Sequence, residues 1–262
     1  YKYEDPEYSI TQTPLNEQDL KTMSEAVEVL RQFKGFSYFT EMSDIINRLE
    51  DHVASARMKT TPVIDFEKNE SLKGLDYLDT IYHAIVNEHP IQLKYRSFKA
   101  RSANSFIFYP YLLKEYRNRW FVYGVRGNGR ILQNLALDRI QSLEVLPQEH
   151  YIKNTFFDPN TFFDDLVGVT KNTGSVAEKV GFKVAAAEAP YIITKPIHRS
   201  QQVVERLADG SVILEIEVVI NHELERVFFG YAEGIQVLYP KTLVELMGRK
   251  LKKAAEQYTH SK

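Results

Sequence analysis

The sequence predicts an α+β protein: a helical spacer, a small antiparallel β-barrel and a ferredoxin-like α/β unit, in that order. Three segments before residue 90 have apolar residues at helical spacing, short segments with strand-like alternation follow up to residue 148, and both patterns occur in turn after that. The chain has 262 residues, 44% of them hydrophobic and 26% charged, which is typical of a globular chain and is enough for one large domain or two to three small ones.

Residues 1–74 predict the spacer and its linker. Residues 15–33 and 40–56 each place apolar side chains on one helical face. Residues 58–74 lack a clear period and contain a proline, which favours an extended linker. The opening residues, YKYEDPEYSI, look like the end of a strand, so we expect that a further segment precedes them.

Residues 75–150 predict a helix followed by a barrel. The helix carries apolar residues on one face and ends at Pro90. Gly127 and Gly129 flank Asn128, which favours a tight turn between the third and fourth strands. Five short segments rich in β-branched and aromatic residues are the predicted strands: IQLKYRSF, SFIFYPYLLKEY, RWFVYGVR, RILQNLALD and IQSLEVL. This order predicts a barrel of the SH3-like or Sm-like type.

Residues 151–174 predict an aromatic, Asn-rich connecting segment, and residues 175–262 predict the last unit. Its patterns alternate as strand, helix, strand, strand, helix, strand and helix, which predicts a ferredoxin-like layout. Asn221 is placed to cap the helix over residues 222–231, and Pro240 to begin the final helix.

Positive charge is concentrated in one part of the chain. Between residues 91 and 140 there are ten Lys and Arg residues and two acidic residues, although the whole chain has a net charge of −2. The same stretch contains ten aromatic residues. Phosphates attract cations, and nucleobases stack on aromatic rings, so this module predicts a nucleic-acid-type partner. The alternative for the aromatic residues is the core of the barrel, where we expect Trp120.

Several classes of site lack their signatures. The chain has no Cys, so it has no disulfide, thiolate metal site or Cys nucleophile. No pair of His residues has metal-ligand spacing on a helix face, and Asp158, Asp164 and Asp165 belong to loops where acidic residues are ordinarily solvated. The motifs Gly-x-Ser-x-Gly and His-Glu-x-x-His are missing. We expect no enzyme, no cofactor and no metal.

Nothing in the sequence indicates a membrane protein. There is no apolar run of about 18 residues, and the first residues lack the apolar centre of a signal peptide. We therefore expect a cytoplasmic protein without a membrane partner.

Residues 75–148 resemble the WYL domain, a family named for a Trp-Tyr-Leu tripeptide followed by Gly. Here the corresponding residues are Trp120-Phe121-Val122 and then Tyr123-Gly124, with Leu137-Asp138-Arg139-Ile140 downstream; Tyr95 and Pro110 also fit. Residues 175–262 are similar to the C-terminal extension of many WYL proteins, through HRSQ, an Asp-Gly turn, HEL and GIQVLYP.

Three positions depart from the family pattern. Phe121 and Val122 replace Tyr and Leu, and Ala136 stands where members often carry Arg. If that Arg contacts the ligand elsewhere in the family, the ligand or its mode of binding differs in this chain.

The resemblance implies a bacterial transcriptional regulator that senses an effector. Such proteins combine an N-terminal winged helix-turn-helix, a WYL sensor that binds nucleic-acid or nucleotide-type effectors, and a dimerising C-terminal unit. No helix-turn-helix is recognisable in the sequence, but YKYEDPEYSI stands where the last strand of its wing would end, so residues 1–74 are expected to begin with a remnant of the wing. Promoter DNA is therefore expected to bind only through a preceding domain. We also expect a homodimer, in which Arg226 is a candidate contact to the ligand of the partner.

The predicted ligand site combines cations for phosphates with Tyr and Asn side chains for bases or ribose. Its residues are Tyr95, Arg96, Arg119, Tyr123, Arg126, Arg130, Asn134 and Arg139. A structural ion pair with Asp138 is the alternative role of Arg139. The alternative for the whole chain is a protein-interaction or dimerisation module without a small effector, which salt dependence would distinguish.

Overall fold

A computed structural model describes residues 72–127, residue 129 and residues 131–259. The two helices predicted for the spacer, most of its linker, Asn128 and Arg130 lie outside the described residues. Within the described part of the chain, no helix has the length and apolar character that are needed to cross a membrane.

The helix and the five strands predicted between residues 75 and 148 are present. A 3-10 turn at Leu75–Tyr77 leads into α1, which spans Leu78–Val86 and buries Leu78, Ile81 and Ala84. The strands are β1 (Ile91–Tyr95), β2 (Asn104–Tyr116), β3 (Arg119–Arg126), β4 (Leu132–Ala136) and β5 (Ile140–Val145). A second 3-10 turn, Leu137–Arg139, separates β4 from β5.

These strands form an open sheet, which corrects the prediction of a barrel. The strand order is β4-β3-β2-β1-β5, so β4 and β5 lie at the two edges of the sheet. β1 and β5 are antiparallel, from Ile91 opposite Val145 to Tyr95 opposite Ile140. Alternation of apolar residues predicts strands and their faces, but closure requires a particular tilt and stagger of all strands together. The residue pattern of a single strand therefore does not determine whether the sheet closes.

The third predicted unit has the predicted order of elements. It contains β6 (Glu178–Val184), α2 (Ala189–Thr194), β7 (Gln202–Arg206), β8 (Val212–Val218), α3 (His222–Gly230), β9 (Ile235–Tyr239) and α4 (Lys241–Thr259). The sheet order is β7-β8-β6-β9, with antiparallel pairs. Phe182, Leu214 and Phe228 are fully buried in its core. The ferredoxin-like assignment stays a prediction.

The N-terminal cap of α3 is the one that the sequence predicted. The side-chain oxygen of Asn221 accepts a hydrogen bond from the backbone N–H of Leu224 at 2.8 Å. The Asn221 amide donates to the carbonyls of Val167 and Thr170 at 3.0 and 2.9 Å. The cap therefore also holds the connecting segment against α3.

By its internal contacts the chain divides into two compact units. The first includes the described residues up to Ile107 together with Arg117–Trp120 and Ala136–His150. The second includes Phe108–Tyr116, Phe121–Leu135 and the residues from Tyr151 onward. Each unit contains part of the predicted ligand site.

Candidate ligand-binding site

In the first unit, the end of β1 and the Leu137–Arg139 turn are held side by side. Tyr95 is the last residue of β1 and lies opposite Ile140. The backbone N–H of Arg96 donates to the carbonyl of Arg139 at 3.1 Å. Leu137 is buried and anchors the turn, whereas the next two side chains remain partly exposed. This pairing fixes the positions from which Asp138 and Arg139 extend.

Two arginines converge on the carboxylate of Asp138. Arg119 Nε lies 3.3 Å from Asp138 Oδ2, and Arg139 Nε lies 3.8 Å from Asp138 Oδ1. The Asp138 side chain is 12% exposed, against 45% for Arg119 and 27% for Arg139. One anion thus faces two cations in a partly buried place, which leaves an excess of positive charge for a further anion.

An exposed aromatic ring lies against one of these cations. Arg139 Cζ is 4.5 Å from the ring centroid of Phe98, within the range of a cation–π interaction. Phe98 is nevertheless 73% exposed. Sequence reasoning missed Phe98, although its position among basic residues after β1, beside Lys99 and Arg101, was a usable signal.

Tyr95 adds a neutral hydroxyl to the cluster. Burial raises the pKa of Tyr95, and the charge and hydrogen bond of Arg139 and a hydrogen bond with the backbone of Ala136 offset part of that rise. The phenol therefore remains protonated at neutral pH, able to donate a hydrogen bond. Tyr95, Arg96, Arg119 and Arg139 are the predicted site residues that this unit brings together.

In the second unit, Tyr123 and Asn134 hold the connecting segment. The Tyr123 hydroxyl and the Asn134 amide both donate to the carbonyl of Val169, the latter at 2.7 Å. Phe162 and Phe163 pack edge-on against the Tyr123 ring, at centroid distances of 5.8 and 5.3 Å. Burial also raises the pKa of Tyr123. These contacts give both side chains a structural role.

The remaining predicted site residues are less informative. Arg126 is exposed at the end of β3, and Arg130 lies outside the described residues. The described part of the chain contains no group of three His, Cys, Asp or Glu side chains able to hold a metal ion.

Tyr123→Phe should lower the free energy of unfolding by about 1–2 kcal/mol, because it removes a buried hydrogen bond to Val169. Urea denaturation measures the change. Tyr191→Phe is the matched control, since the Tyr191 side chain is 68% exposed and should tolerate the same loss. Equal stability of the two variants would contradict the structural role of the Tyr123 hydroxyl.

Two domain families match the chain. Residues 76–145 match the WYL domain, and residues 177–255 match the WCX domain. The chain contains a WYL domain followed by a WCX domain. The resemblance carried by Trp120 and by Leu137-Asp138-Arg139-Ile140 is confirmed. Asp138 and Arg139 lie within the WYL domain, as do Arg119, Tyr95 and Phe98.

Solved structures that are similar to this WYL–WCX chain include two distant ones. Proteasome accessory factor B/C (PafBC) of Arthrobacter aurescens is 14% identical with a TM-score of 0.29, over 83% of this chain and 31% of the PafBC chain. A CRISPR Cas-related protein is 10% identical with a TM-score of 0.46, over 92% of this chain and 86% of the other. No curated protein matches significantly. This chain therefore spans about a third of the length of PafBC, and neither likeness carries functional information.

Proposed function

We propose that this chain is the effector-sensing portion of a bacterial transcriptional regulator and that its WYL domain binds a phosphate-bearing ligand of the nucleic-acid or nucleotide type. The observation that carries the proposal is the convergence of Arg119 and Arg139 beside the exposed ring of Phe98. Cations and an accessible aromatic face are the two groups that a nucleotide requires of a protein surface.

Each side chain has a role in this proposal. Arg119 and Arg139 bind phosphate oxygens through charge-assisted hydrogen bonds, for which the planar guanidinium is well suited. A base stacks on Phe98, a contact that contributes about 1–3 kcal/mol per base in single-strand binding proteins. Tyr95 donates its hydroxyl to a ribose or phosphate oxygen. Arg96 adds to the positive field that attracts the ligand, and Arg126, in the second unit, stays a predicted ligand contact.

The proposal extends to the DNA-binding and dimerising parts of the regulator. A preceding winged helix-turn-helix binds promoter DNA, and the WCX domain supports a homodimer. In this proposal the protein works in the cytoplasm, is not an enzyme and needs no cofactor.

A binding panel across a salt series tests the proposal. The probes are single-stranded DNA, single-stranded RNA, and linear and cyclic dinucleotides, measured by fluorescence anisotropy from low to physiological salt. Phosphate-driven binding of a single strand should weaken with a log–log slope of about −0.7 per phosphate contacted. Absence of binding by every probe at low salt would refute the proposed ligand class.

A protein-interaction module is the second candidate, and α4 is the observation that favours it. Every residue from Gly248 to Thr259 is exposed, including Leu251 at 41% and Tyr258 at 85%. These residues continue the helical face of Met247, which is buried. Self-association through this apolar face would resist salt, whereas phosphate binding would not. Sedimentation over the same salt series separates the two functions.

A further inference from the structure

The ion pair between Asp138 and Arg139 is incomplete in a specific way. Within the described residues, neither Asp138 Oδ1 nor Arg139 Nε has a hydrogen-bond partner, although both atoms are buried. They lie 3.8 Å apart, too far for a hydrogen bond between them. A buried charged group without a hydrogen bond is costly, so a better partner for Arg139 Nε would be favoured.

Arg139 does not depend on Asp138 for its position. Its guanidinium lies over the Phe98 ring at 4.5 Å. Its backbone carbonyl accepts from the N–H of Arg96. The cation would therefore stay in place if the carboxylate were neutralised.

Arg119 is the more exposed partner of the same carboxylate. Its side chain is 45% exposed, and its contact with Asp138 Oδ2 is 3.3 Å. A phosphate has more acceptor oxygens than a carboxylate, and charge-assisted contacts with guanidinium groups are ordinarily about 2.7–2.9 Å long, shorter than the contact that Arg119 makes here. A ligand phosphate therefore has both arginines available to it, provided that it displaces the carboxylate.

We infer that Asp138 is an internal competitor of the ligand, whose carboxylate occupies Arg119 and Arg139 in the free protein and must be displaced by a ligand phosphate. The inference rests on the proposed function and concerns the regulation of the same site. Asp138 thereby lowers the affinity of the site for anions, because a bound phosphate lies close to its negative charge. An anion without a base cannot stack on Phe98, so it lacks the additional binding free energy that displacement of Asp138 requires.

Asp138→Asn tests the inference, since it keeps the shape of the side chain and removes its charge. The variant chain should bind a fluorescent oligodeoxythymidylate on the order of tenfold more tightly than the wild type at low salt. Glu144→Gln is the matched control: it makes the same change of charge on β5, where Glu144 is exposed opposite Gln92. This control should bind like the wild type. Thermal unfolding of each protein establishes that it is folded.

If Asp138→Asn does not fold, a measurement on the wild type tests the inference instead. The ¹³C resonance of the Asp138 carboxyl should move when the oligonucleotide saturates the protein, because the carboxylate loses its arginine partners. If the Arg119 Nε–H signal moves and the Asp138 carboxyl signal does not, the arginines bind ligand without displacing Asp138, and the inference is overturned.

The remaining outcomes separate this inference from the proposed function. Weaker binding by Asp138→Asn, with Arg119→Ala also weakened, would show that Asp138 positions the arginines. Unchanged binding by Asp138→Asn would show that its charge does not compete with the ligand. In both cases the proposed function would stand and the inference would fall. Absence of binding by the wild type and by Asp138→Asn alike would overturn both. Equal gains in Asp138→Asn and Glu144→Gln would indicate only the change of net charge and would also overturn the inference.

Discussion

Arg139→Ala should weaken binding of a single-stranded oligonucleotide by roughly 10- to 100-fold, and Arg119→Ala should weaken it to a smaller extent. A hydrogen bond to a charged group contributes about 1.5–3 kcal/mol, and about 1.4 kcal/mol corresponds to a tenfold change in affinity. Arg139 should show the larger effect, because it is the less exposed of the two and also holds the Phe98 ring.

The salt dependence of binding gives a second measure of the same change. Loss of one phosphate contact should reduce the log–log salt slope by about 0.7 for a single strand. Arg206→Ala provides the control, since Arg206 is an exposed arginine on β7 in the WCX domain. It should leave both the affinity and the slope unchanged.

The two arginine variants should not be independent of each other. Both side chains contact the same carboxylate, and residues that share a partner show coupled effects. The double variant Arg119→Ala/Arg139→Ala should therefore lose a different amount of binding free energy than the sum of the single variants. If neither single variant changes affinity or slope, the assignment of this site is wrong.

The cations of the site could be predicted from sequence because charge is visible in composition. Ten cations in one stretch of an otherwise acidic chain identified the module, and Arg119 and Arg139 were among them. The pairing of Arg139 with Asp138 was an alternative that the sequence offered, but the approach of Arg119 to the same carboxylate was not predicted, since it depends on how the strands and the turn that carries Asp138 are placed in the fold. Phe98 was missed for a similar reason: aromatic residues usually signal core, and exposure is a property of the fold.

Tyr123 and Asn134 illustrate the converse case. Their residue types suit a base or a ribose, but the structure shows both of them donating to the carbonyl of Val169. The connecting segment has no clear period, so its place against these side chains was not predictable. As ligand contacts, the two residues remain predictions.

Gly74→Ala should destabilise the fold by about 2–4 kcal/mol, more than the same substitution at the open position of Gly174. Gly74 has φ 85° and precedes the 3-10 turn at Leu75–Tyr77. A Cβ at this position would lie 2.4 Å from the carbonyl carbon of Leu137 and 2.5 Å from its oxygen. These are backbone atoms, so they cannot move aside as a flexible side chain would.

Gly174→Ala separates this clash from the cost of the backbone conformation alone. Gly174 has φ 80°, and no atom lies within 4 Å of a Cβ built on it. Alanine in the left-handed region costs roughly 1–2 kcal/mol by itself, so the excess in Gly74→Ala measures the close packing. Urea denaturation gives both values.

The same substitution links the fold to the ligand site. To relieve the clash, the Leu137–Arg139 turn must shift, and this turn carries both Asp138 and Arg139. Folded Gly74→Ala should therefore bind the oligonucleotide more weakly than Gly174→Ala does, in conditions where both are native. Equal unfolding free energies and equal affinities in the two variants would show that Gly74 does not set the position of the turn.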